Sequence, residues 1–255
     1  MQNQKISMLV DLLMEVRRRK RPLDSLPDPL KPATVVEAYA VQDELIARKG
    51  GLAGWKVGPS RSPGAEPRCA PVLLGDLKDT TICFGPNDFV TSPELEVEIA
   101  IRFARDILPG PSPIGVDEVE IAIGSVHCAL EILSSRFNGR HYLDPFVSLA
   151  DCQSSGAVVL GEGIEDWRSL EFAETAFEIS FDGCDTVRKE GGPTTMDVLN
   201  TLTWLANHAA VRKHGLRAGQ VVITGARTNA VHMPKHAKLV TGTAFGVGTV
   251  CAKFA

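Results

Sequence analysis

The chain has 255 residues, 44% of them apolar and 23% charged, with 27 basic against 31 acidic side chains and a formal charge of −4. That length suits one large domain, or a core carrying a helical appendage, and the mixed charge, without long runs of one sign, gives no electrostatic footprint for nucleic acid. The single basic cluster, Arg17 to Arg21, falls at the end of a predicted helix, where cations complement the helix dipole.

Ile6, Leu9, Val10, Leu13 and Val16 recur at helical spacing and predict a first helix reaching about Arg19. Asp11 and Glu15 interrupt its apolar character, so it does not read as a signal peptide, and nothing in the chain approaches the ~20 apolar residues of a membrane span. A cytoplasmic protein with no membrane partner is expected. A proline-rich connection (Pro22, Pro27, Pro29, Pro32) precedes Thr34-Val35-Val36-Glu37, a capping-box pattern opening a second helix that stops at Gly50-Gly51. Residues 1–53 are therefore expected to form an N-terminal helical subdomain and residues 54–255 a β-rich catalytic domain.

From Gly54 the apolar period changes from helical to alternating. Leu95, Val97, Ile99, Ile101 and Phe103 alternate with Glu94, Glu96, Glu98 and Arg102, and Val126, Cys128, Leu130 and Ile132 alternate with His127, Ala129 and Glu131. Both patterns predict strands. Further strands are expected at 157–160, 171–181, 219–224 and 237–254, with a hairpin turn at Asp182-Gly183. One late helix is expected, capped by Thr194 and Asp197, lined by Leu199, Leu202, Leu205 and Ala206, and ended by Gly215. The pattern is that of an α+β fold. Six cysteines show no C-x-x-C pair, several fall within apolar alternation, and reduced buried thiols are expected.

The chemical signal begins with Glu94-Leu95-Glu96-Val97-Glu98. In a strand, side chains two apart share a face, with Cβ atoms roughly 7 Å apart, so two carboxylates can converge on one cation; a solvated acidic face is the competing reading. Glu131 lies on a strand whose two faces are both largely apolar, which demands a partner: a metal ion, or nearby Arg136. Lys56, flanked by Gly54 and Gly58, is either a ligand-facing lysine or an exposed one on an edge strand. Asp151, Ser154 and Ser155 form a polar turn that can satisfy its own backbone or hold a carboxylate. No phosphate-binding glycine motif opens a helix, no Gly-x-Ser-x-Gly elbow occurs, and Pro234 between His232 and His236 argues against a helical metal pair.

In order and spacing these motifs resemble the 2-keto-4-pentenoate hydratase / 4-oxalocrotonate decarboxylase family of the fumarylacetoacetate hydrolase superfamily. The resemblance runs from Glu37-Ala38-Tyr39-Ala40-Val41-Gln42 and Gly54-Trp55-Lys56-Val57-Gly58, through Glu96-Val97-Glu98 and Ala129-Leu130-Glu131-Ile132, to Ser135-Arg136-Phe137, Asp151, Ser154-Ser155-Gly156 and Thr224-Gly225. It implies a mixed β-roll core with helices outside, and a homo-oligomer. It further implies that Glu96, Glu98 and Glu131 hold a divalent metal, Mg²⁺ with Mn²⁺ as the alternative, and that Lys56 and Asp76 are catalytic. Ser154, Ser155, Arg136 and Thr224 would then bind the substrate, a small 2-oxo or 2-hydroxy acid of the kind met in aromatic-compound catabolism.

The expected reaction is hydration of a 2-hydroxy-2,4-dienoate through a metal-stabilised enolate. The alternatives are a 2-oxo acid decarboxylase or an acylpyruvate hydrolase and, in another class, a catalytically silent partner subunit. The chain departs from the family at Pro59-Ser60-Arg61 and the proline-rich loop to Pro71, at Cys152, at Thr194-Thr195-Met196-Asp197, and at Ala226-Arg227-Thr228-Asn229. These are positions for loops and substrate, whereas the acidic set is intact.

Overall fold

The computed structural model describes residues 2–60 and 64–255. Arg61, in the departure that follows the lysine motif, lies outside them. In chain order the helices and strands are α1 (Gln2–Arg19), α2 (Val35–Arg48), β1 (Leu52–Gly58), β2 (Arg68–Leu73), β3 (Leu77–Asp79), β4 (Cys83–Phe84) and β5 (Glu94–Phe103). They continue with α3 (Val116–Ala122), β6 (Ile123–Leu133), α4 (Pro145–Ala150), β7 (Ser155–Ile164), β8 (Ala176–Phe181), β9 (Cys184–Glu190) and α5 (Thr195–Val211). The last four are β10 (Val221–Ala226), β11 (Val231–His232), β12 (Leu239–Ala244) and β13 (Gly248–Phe254).

The helical expectations for α1, α2 and α5 hold, with one difference at a cap. Thr34 accepts the Glu37 N–H at 3.2 Å, but the Glu37 carboxylate reaches past the cap to the Ala33 N–H at 2.9 Å and to Lys5 Nζ at 2.8 Å. Half of a capping box forms there; at α5 both halves form, between Thr194 and Asp197. The segment 171–181 is strand only from Ala176, because the Glu171 side chain accepts the Ala173 N–H and starts a 3₁₀ turn. The segment 237–254 divides into β12 and β13 around a tight turn. The short helices α3 and α4, at seven and six residues, are too brief to leave a periodic signature.

Among the described residues the strands form two mixed sheets. The larger runs β2-β1-β10-β5-β6-β7-β3 with β11 added on β5, and the smaller runs β4-β13-β12-β8-β9. β1 pairs with β10 and β3 with β7 in parallel; β5, β6 and β7 form an antiparallel centre. The odd-numbered positions of β5 face the smaller sheet, where Gly242 leaves room for Val97 and Leu130 to approach within van der Waals distance. One apolar cluster joins this interface to Leu9, Leu13, Val41 and Leu45 of the two N-terminal helices. The opposite face of the larger sheet carries a second small cluster, Val72, Ala100, Ala129, Val158, Val221 and Ile223. Five of those six side chains are alanine or valine, and Ala100 and Ala129 share the faces of their strands with the acidic residues.

Candidate metal centre

β5 and β6 place Glu96 directly opposite Glu131, and Glu98 two residues along on the same face. One oxygen from each of the three carboxylates lies within 4.8 Å of the others. Glu98 and Glu131 are 2% and 1% exposed, while Glu96 is half-buried, so two of the three carboxylates are withdrawn from water. Burial, and then the Glu131 and Glu96 charges, push the Glu98 carboxyl well above its ordinary range, against the opposing pull of Lys56. A closed bulge in β10 helps to hold the ionised form: the strand register shifts between Ile223 and Ala226, Gly225 takes a φ of +102°, and its N–H donates to Glu98 at 2.7 Å.

Lys56 completes the cluster. β1 lies between β2 and β10, so Lys56 is not on an edge strand, which removes one of the readings open in the sequence. Its ammonium pairs with Glu131 and donates to the Gln153 carbonyl at 3.2 Å. That carbonyl is aimed by an unusual backbone: Cys152, Gln153 and Ser154 have φ of 52°, 50° and 63°, three successive non-glycine residues in the left-handed region, where each costs about 1–2 kcal/mol. The described residues bring three carboxylates and one ammonium together here, and hard oxygen donors of this kind are those preferred by Mg²⁺, Mn²⁺ or Ca²⁺. The donor set fits a divalent ion.

The remaining candidates separate. Ser154, 2% exposed, lines the same cleft, which has a volume of about 510 Å³. Ser155 Oγ is buried with no hydrogen-bond partner among the described residues. Thr224 does not face the cleft; its hydroxyl donates to the Ile99 carbonyl at 2.9 Å and ties β10 to β5. Arg136 is fully engaged elsewhere: Nε pairs with Asp151, and Nη1 donates to the Ser155 carbonyl at 2.7 Å. The alternative Glu131–Arg136 pair is therefore not formed. Asp76 accepts from Arg17 at 3.2 Å and, with Arg136, lines a second cleft of about 560 Å³ beside α1, away from the three glutamates. The geometry thus brings Glu96, Glu98, Glu131, Lys56 and Ser154 together and leaves Asp76, Arg136 and Thr224 outside.

Several cleft residues carried no sequence signal. Arg140 clasps Glu94 through two hydrogen bonds of 2.8 and 2.6 Å, which sets this glutamate of the acidic run apart from the three-carboxylate cluster and holds its carboxyl below the usual range. Arg68, Glu66 and Gln153 line the cleft from irregular segments or a strand end, where no periodicity marks a face. The proline-rich stretch after Lys56 is also shorter than expected, since Pro71 lies within β2.

No protein-family model matches the chain. Curated relatives extend over nearly its whole length: a 2-keto-4-pentenoate hydratase of Paraburkholderia phymatum is 26% identical over 265 residues, covering 98% of this chain and 97% of that protein. A 2-oxo-hept-4-ene-1,7-dioate hydratase of Escherichia coli is 25% identical, covering 88% and 89%. Among solved structures, a 4-oxalocrotonate decarboxylase from Pseudomonas putida G7, complexed with magnesium and adipate, superposes with a TM-score of 0.82 at 22% identity, covering 98% of both chains. A fumarylacetoacetate hydrolase family protein from Yersinia pestis superposes with a TM-score of 0.54 over 80% of this chain and 93% of that one.

Proposed function

From the chain's kinship with the 2-keto-4-pentenoate hydratases, on a fold of the fumarylacetoacetate hydrolase superfamily, we propose that it is a divalent-metal-dependent hydro-lyase. The reaction assigned to it adds water to a 2-hydroxy-2,4-dienoate and yields a 4-hydroxy-2-oxo acid. The observation that carries this reading is the convergence of Glu96, Glu98 and Glu131 beside Lys56. Magnesium and calcium complexes of the decarboxylase of the same fold agree with a divalent ion.

Glu96, Glu98 and Glu131 would hold the ion, with the Gly225 N–H fixing the Glu98 carboxylate. Bound there, a divalent cation supplies a Lewis acid for the 2-oxo group and adjacent carboxylate of a substrate. Lys56 holds a proton at the cleft floor, where Glu131 and the Gln153 carbonyl keep its ammonium in place, and it is the group positioned to exchange that proton with substrate carbon or oxygen. Ser154 offers a hydroxyl at the cleft wall for a substrate oxygen. Ala100, Ala129, Val158 and Ile223 form a small buried apolar cluster on the strands that carry the glutamates and their neighbours.

Glu98→Gln tests the reading. Mg²⁺ titrated by calorimetry should bind at least about tenfold more weakly than to the wild type, and turnover of 2-hydroxypenta-2,4-dienoate should fall with it while the circular dichroism spectrum is retained. Unchanged metal affinity and turnover in a folded variant would overturn the assignment. The same assay run on 4-oxalocrotonate, with CO₂ release followed, separates hydration from decarboxylation.

A further inference from the structure

Three cationic side chains line the glutamate cleft among the described residues: Lys56, Arg140 and Arg68. Two are committed, Lys56 to Glu131 and Arg140 to Glu94. Among the described residues Arg68 has no carboxylate partner, even though Glu66 lines the same cleft two residues away. Strand register fixes where it stands. Ala70 is opposite Lys56 and Arg68 is opposite Gly58, so Arg68 shares the face of Lys56, one strand over and two residues along. Its guanidinium lies 5.9 Å from the centre of the Phe146 ring of α4; a cation–π contact of that length restricts the side chain without neutralising it.

A positive charge lining the cleft on β2, which β1 and β10 separate from the glutamate strands β5 and β6, suits an anion at the far end of the ligand. We propose that Arg68 is a specificity-determining residue that binds a second, distal carboxylate, so that the preferred substrate is a dicarboxylic 2-hydroxy-dienoate rather than a monocarboxylic one. This rests on the hydro-lyase reading for the near end of the substrate, where the 2-oxo acid group meets the three glutamates. Arginine suits the task because its planar fork matches a carboxylate bidentately and stays charged at any working pH.

The test compares two unreactive ligands that differ only at the distal end, 2-oxoadipate and 2-oxohexanoate, titrated into the Mg²⁺-loaded protein by calorimetry. The wild type should bind 2-oxoadipate at least about tenfold more tightly. Arg68→Gln should abolish that preference while leaving 2-oxohexanoate affinity unchanged, and Arg68→Lys should keep part of it. Equal affinity of the wild type for both ligands, or a preference that survives Arg68→Gln, would overturn the role of Arg68 and leave the hydro-lyase reading standing. Binding of neither ligand to metal-loaded protein would remove both.

Discussion

At the scale of single residues, the site is decided by which charge each buried charge meets. Glu131 is 1% exposed and paired with Lys56, and a buried carboxylate that loses its partner is strongly unfavourable. Lys56→Met should therefore destabilise the metal-free protein by about 3–5 kcal/mol in urea denaturation, and saturating Mg²⁺ should restore a substantial part. If Mg²⁺ restored nothing, the carboxylates would not share an ion. The sequence shows Glu131 as a residue in need of a partner, because both faces of its strand are apolar. It does not show which partner, since Arg136 is five positions away and Lys56 is 75. Asp151 takes Arg136 through a clasp that Ser135 also joins at 2.8 Å, and no local pattern announces this.

At the scale of elements, the acidic run of β5 shows how one periodic pattern is divided by its surroundings. Glu94, Glu96 and Glu98 share a face; Glu94 goes to Arg140 at the rim, while Glu96 and Glu98 lie over Glu131 and Ala129. Alternation determines the face, and the neighbouring strands determine the role. β1 depends on a close approach in the same way. A Cβ added at Gly54 would stand 1.8 Å from the Val221 carbonyl oxygen of β10, a backbone atom that cannot swing aside. Gly54→Ala should force the β1–β10 pairing apart, at a loss of about 3 kcal/mol or more by chemical denaturation, with turnover falling as Lys56 is displaced. A stable, active variant would show that β1 can shift without disturbing the site. The glycine is visible in the sequence as a breaker flanking Lys56, but its reason, the carbonyl of a strand more than 160 residues later, is not.

Across the whole molecule, the contact of α2 with α5 couples stability to pH. His208 stacks on Trp204 with ring centroids 4.6 Å apart and lies 4.5 Å from Tyr39; burial first, and then the Arg212 charge, lower its pKa from 6.5 to about 4, against a smaller opposing pull from Asp43. The unfolded chain then binds a proton between pH 6.5 and about 4 that the folded chain refuses, so stability falls as pH drops through that window and levels off below it. Asp43, held low by His214 and Arg212 in spite of burial, acts below that range, and Glu98, with its pKa raised, has the opposite sign. Comparison with His208→Phe isolates the term: the wild type should lose on the order of 2–3 kcal/mol more than the variant between pH 7 and pH 4, measured by urea midpoints. Parallel pH curves would disprove it. By itself the sequence determined the α+β class, the principal helices, the two central strands and the face on which their glutamates stand, because periodicity records burial between near neighbours. Only the tertiary structure decided that β5 and β6 bring three carboxylates to one point, that a left-handed turn and a β10 bulge supply the Gln153 carbonyl and the Gly225 N–H, and that Asp76 and Arg136 belong to another cleft. Those outcomes depend on strand register and on contacts between distant segments, which are fixed by burying the whole core at once and leave no mark on local spacing.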